Sequence, residues 1–222
     1  MEDGSRPVRV DGPAAFQRLF AVSRETIRRL ELYESLLLRW QKAVNLVAPG
    51  SLGDVWHRHF ADSAQLARLV PPGAAAIVDL GSGGGFPGLV LAMMLAERSA
   101  VRVSLVESDI RKVAFLREVA RQAGVVVDIL ATRIESRETQ TRIGPVDVVT
   151  GRALAPLNRL LGWAQPFFAA GTVGLFLKGR GVLREIEEAG AVWRFEVELV
   201  SSLTDAAGRI AVIRHLAAKT EG

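Results

Sequence analysis

The apolar and polar positions divide the chain into two parts at Pro71-Pro72-Gly73. Before this boundary, apolar residues recur at steps of three and four from Ile27 to Val44, which predicts a long amphipathic helix. A further helix is predicted from about Leu52 to Val70. We therefore expect residues 1–70 to form a helical N-terminal extension and residues 71–222 to form the principal domain.

Beyond the boundary, short apolar runs alternate with amphipathic segments. Such alternation predicts an α/β fold with a doubly wound parallel sheet. The last two strand-like runs, Val192–Ser201 and Arg209–Leu216, are joined by a turn and predict an antiparallel pair at one edge. The earlier strands are predicted near Ala76–Val78, Val101–Glu107, Val125–Leu130, Val146–Thr150 and Gly171–Lys178. The expected sheet is therefore seven-stranded and mostly parallel.

The turn after the first strand carries the most specific signal. Four glycines occur within five residues, Gly81 to Gly85, and glycine lets a backbone adopt positive φ and approach a ligand closely. Pro87 suits the first position of a helix, which the apolar stretch Leu89–Ala96 continues. Strand, glycine turn and helix together predict a site for a nucleoside-containing cofactor at the carboxyl edge of the sheet. We expect Gly81, Ser82 and Gly83 to lie against it.

Two cofactors compete for this loop. Gly83-x-Gly85-x-x-Gly88, with Glu107 nineteen residues later, matches the dinucleotide fingerprint of a nicotinamide-dependent oxidoreductase. Asp79-x-Gly81-x-Gly83-x-Gly85 instead resembles the first motif of S-adenosylmethionine-dependent methyltransferases. The pair Phe86-Pro87 favours the methyltransferase, because proline removes an N–H group that a pyrophosphate would bind.

Charged residues at strand ends are the candidates for binding and catalysis. Glu107 ends the second predicted strand, where a carboxylate can accept both ribose hydroxyls of an adenosyl group. Asp79 either orients the glycine loop or receives the ammonium of the cofactor. Arg152 and Lys178 end the fourth and fifth strands, and we expect these two cations to lie at one edge and contact RNA. Arg133-Ile134-Glu135 follows the third strand, where backbone N–H groups and an acid could meet an adenine.

The histidines offer little evidence of a metal site. His57 and His59 with Asp62 lack a third ligand at suitable spacing, and residues two apart on a helix point to different faces. We therefore expect no metal. His215 lies in an apolar strand, and we expect it to be structural.

Composition excludes several classes of protein. The chain has no cysteine, which rules out disulfides, thiolate metal sites and a cysteine nucleophile. No apolar run approaches the ~20 residues of a membrane span, and no signal peptide is visible at the N-terminus. The net charge of +4, carried mainly by arginine, favours a nucleic-acid partner. We expect a cytoplasmic monomer without a membrane partner.

Taken together, these segments resemble the glucose-inhibited division protein B family, bacterial methyltransferases acting on guanine N7 in small-subunit (16S) ribosomal RNA. The resemblance extends from about Leu36 to Leu216. Its carriers are Asn45-Leu46-Val47, Arg58-His59-Phe60-Ala61-Asp62-Ser63, Val78 to Gly88, Glu107-Ser108 with Arg111-Lys112, Arg133-Ile134-Glu135, Arg152-Ala153 and Leu177-Lys178-Gly179.

The resemblance implies a Rossmann-like class I methyltransferase fold, S-adenosylmethionine as cofactor and 16S ribosomal RNA as partner. The cofactor contacts that it implies are Gly81, Phe86, Ile134, Glu135 and Arg152. Two departures are small: Glu107 stands where aspartate is common, and Gly151 where serine is common. Guanine N7 already offers a lone pair, so the implied reaction needs no general base and depends on in-line positioning.

Two further readings remain open at this point. One is an RNA-binding or ribosome-assembly protein that keeps the cofactor fold without turnover. The other is a methyltransferase of small molecules, whose activity would not require RNA.

Overall fold

A computed structural model describes residues 8–96 and 101–219. Its strands are β1 (Ala76–Leu80), β2 (Arg102–Glu107), β3 (Asp128–Ala131), β4 (Val148–Arg152), β5 (Val173–Lys178), β6 (Trp193–Ser201) and β7 (Arg209–Ala218). They form one seven-stranded sheet in the order β3-β2-β1-β4-β5-β7-β6. Strands β1 to β5 are parallel, and β7 runs antiparallel to both of its neighbours. The predicted fold class is confirmed.

Helices cover both faces of the sheet, as the alternating pattern predicts. They are α1 (Pro13–Phe20), α2 (Arg24–Trp40), α3 (Asp62–Ala64), α4 (Gly88–Leu95), α5 (Ile110–Ala123), α6 (Arg137–Ile143), α7 (Leu157–Ala164) and α8 (Val182–Gly190). Local sequence explains several boundaries. Helix α2 begins after Ser23, whose hydroxyl accepts a hydrogen bond from the Thr26 amide, and α5 ends at Gly124 in the left-handed region.

The single helix predicted from Leu52 to Val70 is wrong. The chain there forms a 3₁₀ helix (Pro49–Asp54), a π-helical turn (Trp56–Ala61), the short α3 and another 3₁₀ turn (Gln65–Arg68). The wide turn buries Trp56 together with the adjacent residues His59 and Phe60. Pattern reasoning assumes a single period of 3.6 residues, whereas π turns change that period, frequently at functional sites.

The N-terminal helices and the sheet share one hydrophobic core. Phe16, Leu30 and Phe60 belong to the same buried cluster as Leu89 of α4 and Phe115 of α5. A second cluster fills the opposite face of the sheet, between it and α7 and α8. The helical N-terminal part therefore packs as a layer on the sheet, with no separate core of its own among the described residues.

His215 differs from the expectation of a structural residue in an apolar strand. Its side chain is exposed, and its Nε2 lies 3.8 Å from a carboxylate oxygen of Glu196. The pairing register between β6 and β7 shifts between Arg194 and Glu196, and His215 has a φ of 54°. Such a bulge breaks the alternation of a strand, so Arg214 and His215 are both exposed.

Among the described residues, no helix combines the length and the apolar character required to cross a membrane.

Candidate active site

A cavity of about 1060 Å³ opens at the carboxyl ends of the parallel strands. The strand order reverses at β1, between β2 and β4, and ligands of doubly wound sheets bind at such a switch point. The glycine loop after β1 forms one wall, and residues from the N-terminal helical part form another. The volume lies just above the ~300–1,000 Å³ typical of small-molecule sites.

Eight of the predicted site residues line this cavity. They are Gly81, Ser82, Gly83, Phe86, Glu107, Ile134, Glu135 and Arg152. Asp79 and Lys178 do not line it. The fold thus brings most of the residues predicted from the sequence together in one cavity.

The glycine loop presents its backbone to the cavity. The φ values of Gly81, Gly83 and Gly85 are 64°, 56° and 95°, and residues other than glycine rarely adopt such values. A Cβ atom built on Gly83 would meet only one atom within 4 Å, the Gly81 carbonyl oxygen at 3.8 Å. The space beside Gly83 is therefore open to a ligand.

Glu107 fastens the loop to the end of β2. One carboxylate oxygen accepts a hydrogen bond from the Gly83 amide at 2.8 Å, and the other accepts one from the Asp109 amide at 2.8 Å. Only 8% of the residue is exposed. Each carboxylate oxygen can accept a second hydrogen bond, so Glu107 retains acceptors for a pair of hydroxyls.

Asp79 is buried beneath the loop. One carboxylate oxygen accepts a hydrogen bond from the Gly88 amide at 3.2 Å, and the other accepts one from the Thr150 hydroxyl at 2.8 Å. Burial raises the pKa of Asp79, and these two hydrogen bonds oppose that rise. Of its two predicted roles, the geometry corresponds to orienting the loop, since its contacts join β1, β4 and the start of α4.

Arg152 carries a cation that lies against Phe86 of the glycine loop. Its Nη1 donates to the Arg58 carbonyl at 3.0 Å and lies 3.4 Å from an Asp62 carboxylate oxygen. Its Nη2 lies 2.9 Å from His59 Nδ1. The guanidinium carbon lies 5.0 Å from the centroid of the Phe86 ring. Arg152 is thus held between the loop and the N-terminal part of the chain.

Tyr33 of α2 contacts the glycine loop, and the sequence does not predict this contact. Its hydroxyl donates a hydrogen bond to the Gly84 carbonyl, and its ring stacks on Phe86 at 5.2 Å and 10°. Burial raises the pKa of Tyr33 well above its ordinary value, so the hydroxyl stays protonated. The apolar stripe of α2 predicted a core position for Tyr33, but no local pattern indicates a contact with residues about fifty positions away.

Lys178 lies at the end of β5 with only 9% of its side chain exposed. Its ammonium forms an ion pair with Glu185 at 2.5 Å and donates to the Ala155 carbonyl at 3.0 Å. Arg152 and Lys178 end the neighbouring parallel strands β4 and β5 at the same edge of the sheet, as expected. The Lys178 side chain turns toward α7 and α8 and does not line the cavity, so the two cations do not face it together.

Besides Arg152, five cations line the cavity: Arg9, Arg58, Lys112, Arg133 and Arg159. Arg9 pairs with Asp11 and Asp54, whereas none of the other four forms an ion pair within residues 8–96 and 101–219. The guanidinium of Arg159 instead lies 4.6 Å from the ring centroid of Trp163. Unpaired cations at the mouth of a cavity attract a polyanion.

The described part of the chain contains no cluster of three or more His, Cys, Asp or Glu residues that could hold a metal ion. His59 contributes its imidazole to the Arg152 contacts.

Known proteins resemble the chain in both sequence and fold. A family model described as GidB, rRNA small subunit methyltransferase G, matches residues 26–216. A relative from Parvibaculum lavamentivorans, named ribosomal RNA small subunit methyltransferase G, is 50% identical over 202 residues, covering 91% of this chain and 88% of the relative. A protein of the same name from Paramagnetospirillum magneticum is 49% identical over 207 residues, covering 92% and 96%.

Solved structures of low sequence identity share the fold. An SAH-bound methyltransferase of Podospora anserina, PaMTH1, has a TM-score of 0.56 at 14% identity, covering 87% of this chain and 88% of that protein. A putative class I S-adenosylmethionine-dependent methyltransferase from Listeria monocytogenes has a TM-score of 0.58 at 14% identity, covering 87% and 69%. The family match extends over most of the chain and includes the glycine loop, Glu107 and Arg152. The chain therefore belongs to the GidB family of small-subunit ribosomal RNA methyltransferases.

Proposed function

We propose that the protein transfers a methyl group from S-adenosylmethionine to N7 of a guanine in small-subunit (16S) ribosomal RNA. The observation that carries this proposal is the composition of one cavity. A glycine loop with an acid suited to a ribose lies on one side, and unpaired cations suited to phosphate lie around it. Arg152 stands between the loop and the N-terminal wall. Membership of the family supports the same reaction.

The residues present fit the cofactor. Glu107 retains two acceptors for the ribose hydroxyls, and the open space at Gly83 admits a close approach to the backbone. Ile134 is 7% exposed and offers an apolar edge to an adenine. We propose that Gly81, Ser82 and Phe86 complete the loop side, with Glu135 beside Ile134. Asp79 would affect cofactor binding indirectly, by holding the glycine loop in place.

When bound, S-adenosylmethionine supplies an electrophilic methyl group on a sulfonium centre. The nitrogen–methyl bond forms as the sulfur–methyl bond breaks, and the sulfur retains the electron pair. Guanine N7 provides its own lone pair, so no side chain has to remove a proton. The protein has to hold N7 in line with the methyl group. Such positioning can lower the activation barrier by ~7–11 kcal/mol.

We assign this positioning to Arg152. Its guanidinium can donate to a guanine O6, to a phosphate or to the cofactor carboxylate, since each accepts hydrogen bonds in a plane. A contact of Lys178 with RNA would require its ion pair with Glu185 to open, which makes Arg152 the stronger candidate.

The alternatives predict different behaviour. The reading as a nicotinamide-dependent oxidoreductase is not supported, because the chain belongs to a methyltransferase family. A binding protein without turnover would retain S-adenosylmethionine but transfer no methyl group. A small-molecule methyltransferase would be active without RNA.

We further propose that the protein acts in the cytoplasm, where ribosomes assemble, as a monomer.

The experiment is methyl transfer from labelled S-adenosylmethionine to ribosomal RNA purified from cells that lack this protein. Cleavage at N7-methylguanine then maps the product, and Arg152→Ala serves as the control variant. Label at a single small-subunit guanine is expected, with a strong loss in the variant. Absence of label, despite calorimetric binding of the cofactor, would overturn the proposal in favour of a binding protein.

A further inference from the structure

The imidazole of His59 lies between Ser51 and Arg152. Its Nε2 lies 2.7 Å from the Ser51 hydroxyl, and its Nδ1 lies 2.9 Å from Arg152 Nη2. Only 7% of the residue is exposed. Both ring nitrogens are thus used, one toward the N-terminal 3₁₀ helix and the other toward the cavity.

The hydrogen bonds assign the tautomer. The Ser51 hydroxyl donates to the Ala48 carbonyl at 2.7 Å, so it can only accept from the imidazole. His59 therefore carries its proton on Nε2. Its Nδ1 has a free lone pair and accepts a hydrogen bond from the guanidinium, which has donors only.

The surroundings of His59 keep it neutral. Burial is the main cause that lowers its pKa to about 3, and the nearby charges of Arg152 and Arg58 add to this effect. A protonated imidazole would direct an N–H group at the guanidinium and break the contact. The lone pair of Nδ1 is engaged by Arg152, so His59 has no basic atom available for the cavity.

The ring also limits where the guanidinium can lie. His59 stacks against Phe86 with ring centroids 4.9 Å apart and an angle of 30°. Arg152 lies over the same Phe86 ring at 5.0 Å, while the Arg58 carbonyl holds its other nitrogen at 3.0 Å. The guanidinium is thus constrained by a stacked ring and by two hydrogen-bond acceptors.

We propose that His59 is a positioning residue: anchored by Ser51, it holds the Arg152 guanidinium in the orientation that the methyl transfer requires. The N-terminal part of the chain thereby sets the geometry of the reaction. The catalytic meaning of this relay rests on the proposed function, because that function gives Arg152 its role.

Two isosteric substitutions separate the two hydrogen bonds. In His59→Asn the amide oxygen replaces Nδ1 as the acceptor for Arg152, whereas in His59→Gln the amide nitrogen replaces Nε2 as the donor to Ser51. Each variant keeps a polar side chain at the buried position. Thermal unfolding of both variants checks that they fold.

For the methyl-transfer assay, we expect His59→Gln to lower kcat/KM by about tenfold or more, since a hydrogen bond to a charged group is lost. His59→Asn should restore activity to within about threefold of the wild type. In an Arg152→Ala background, His59→Gln should have no further effect. Equal activity of the two variants, or an undiminished effect of His59→Gln without Arg152, would overturn the proposal.

A measurement that does not use activity separates this relay from the proposed function. The chain has three histidines, so imidazole ¹⁵N resonances can be assigned with single substitutions. We expect a neutral Nε2–H tautomer for His59 from pH 5 to pH 8, and a changed Nδ1 shift in Arg152→Ala. An Nδ1–H tautomer, or a shift insensitive to Arg152, would refute the relay even if RNA were methylated. Absent RNA methylation with the expected shifts would instead refute the proposed function alone.

Discussion

At the scale of single residues, Asp79 uses both carboxylate oxygens inside the protein. The Gly88 amide and the Thr150 hydroxyl are its partners, and a Cβ on Gly88 would lie 2.5 Å from the Asp79 Cβ. This close packing leaves no room for a ligand group between the carboxylate and the helix start. We therefore expect Asp79 to act on a bound cofactor by holding the loop.

We predict that Asp79→Asn keeps the affinity for S-adenosylhomocysteine within about threefold, because the amide can still accept from Gly88 and donate to the Thr150 hydroxyl. Asp79→Ala should lower the free energy of unfolding by ~2–4 kcal/mol, since it leaves a buried amide unpaired and a cavity behind. Calorimetry and urea unfolding measure the two effects. A large loss of affinity in Asp79→Asn at unchanged stability would show that the charge itself binds the cofactor ammonium.

His59 gives the protein a defined sensitivity to acid. Its pKa is about 3 in the folded state, against about 6.5 for an exposed imidazole, and it faces Arg152, Arg58 and the carboxylate of Asp62. Between these two values the unfolded chain binds a proton that the folded chain does not. The free energy of unfolding should therefore fall by about 1.4 kcal/mol per pH unit below pH 6 from this group alone.

The test compares urea unfolding of the wild type and His59→Asn at pH 7, 6 and 5. The variant lacks the titrating group, so its stability should fall less steeply, and the difference between the two slopes isolates His59. Parallel slopes would mean that the pKa of His59 is the same in the folded and unfolded states.

At the scale of elements, regular strands and helices followed from the sequence, while the irregular ones did not. The apolar runs before Asp79 and Glu107 located β1 and β2 closely, since buried parallel strands are short and continuous. The segment from Pro49 to Arg68 changes helical period three times, and Trp56 within it contacts Phe16 of α1 and Glu34 of α2. The Tyr33 and His59 contacts with the loop could not be predicted, because they join distant residues.

Lys178, at the end of β5, links this strand to α8 and to the start of α7. Lys178 pairs with Glu185 of α8, and the Glu185 carboxylate accepts a hydrogen bond from the Leu157 amide at 2.7 Å, where α7 begins. We predict that Lys178→Met lowers the free energy of unfolding by ~1–3 kcal/mol, because Glu185 loses its partner in a partly buried place. The double variant Lys178→Met/Glu185→Gln should recover part of this loss.

Thermal and urea unfolding measure the stability, and methyl transfer at a temperature where both variants are folded measures the activity. A drop of RNA methylation by more than about thirtyfold in Lys178→Met, at unchanged stability, would instead establish the RNA contact expected from its position at a strand end.

At the scale of the whole molecule, the boundary at Pro71-Pro72-Gly73 marks a change in secondary structure and leaves the core continuous. The sequence on its two sides predicted helices and then an α/β sheet, and both exist. The packing joins them at the active site, where Leu46, Tyr33 and His59 contact the glycine loop. Local patterns cannot reveal such an arrangement, since each of these residues is also explained by its own helix or turn.

The charge distribution around the cavity leads to a prediction about RNA binding. Lys112 comes from α5, Arg133 from the loop after β3 and Arg159 from α7, and each lines the cavity without an ion-pair partner among the described residues. If each neutralises one phosphate, the triple variant Lys112→Gln/Arg133→Gln/Arg159→Gln should reduce the slope of log K against log salt by about 2, at roughly 0.7 per contact with single-stranded RNA.

The measurement is the anisotropy of a labelled 16S ribosomal RNA fragment, titrated at several salt concentrations with saturating S-adenosylhomocysteine. The matched control is the triple variant Arg121→Gln/Arg142→Gln/Arg184→Gln, because these exposed arginines already pair with Glu118, Asp128 and Glu188 and do not line the cavity. The control should leave the slope near that of the wild type, since a paired guanidinium adds little to the field of the cavity. A slope that fell equally in both variants would show that RNA responds only to net charge, and would remove the cavity cations from the binding site.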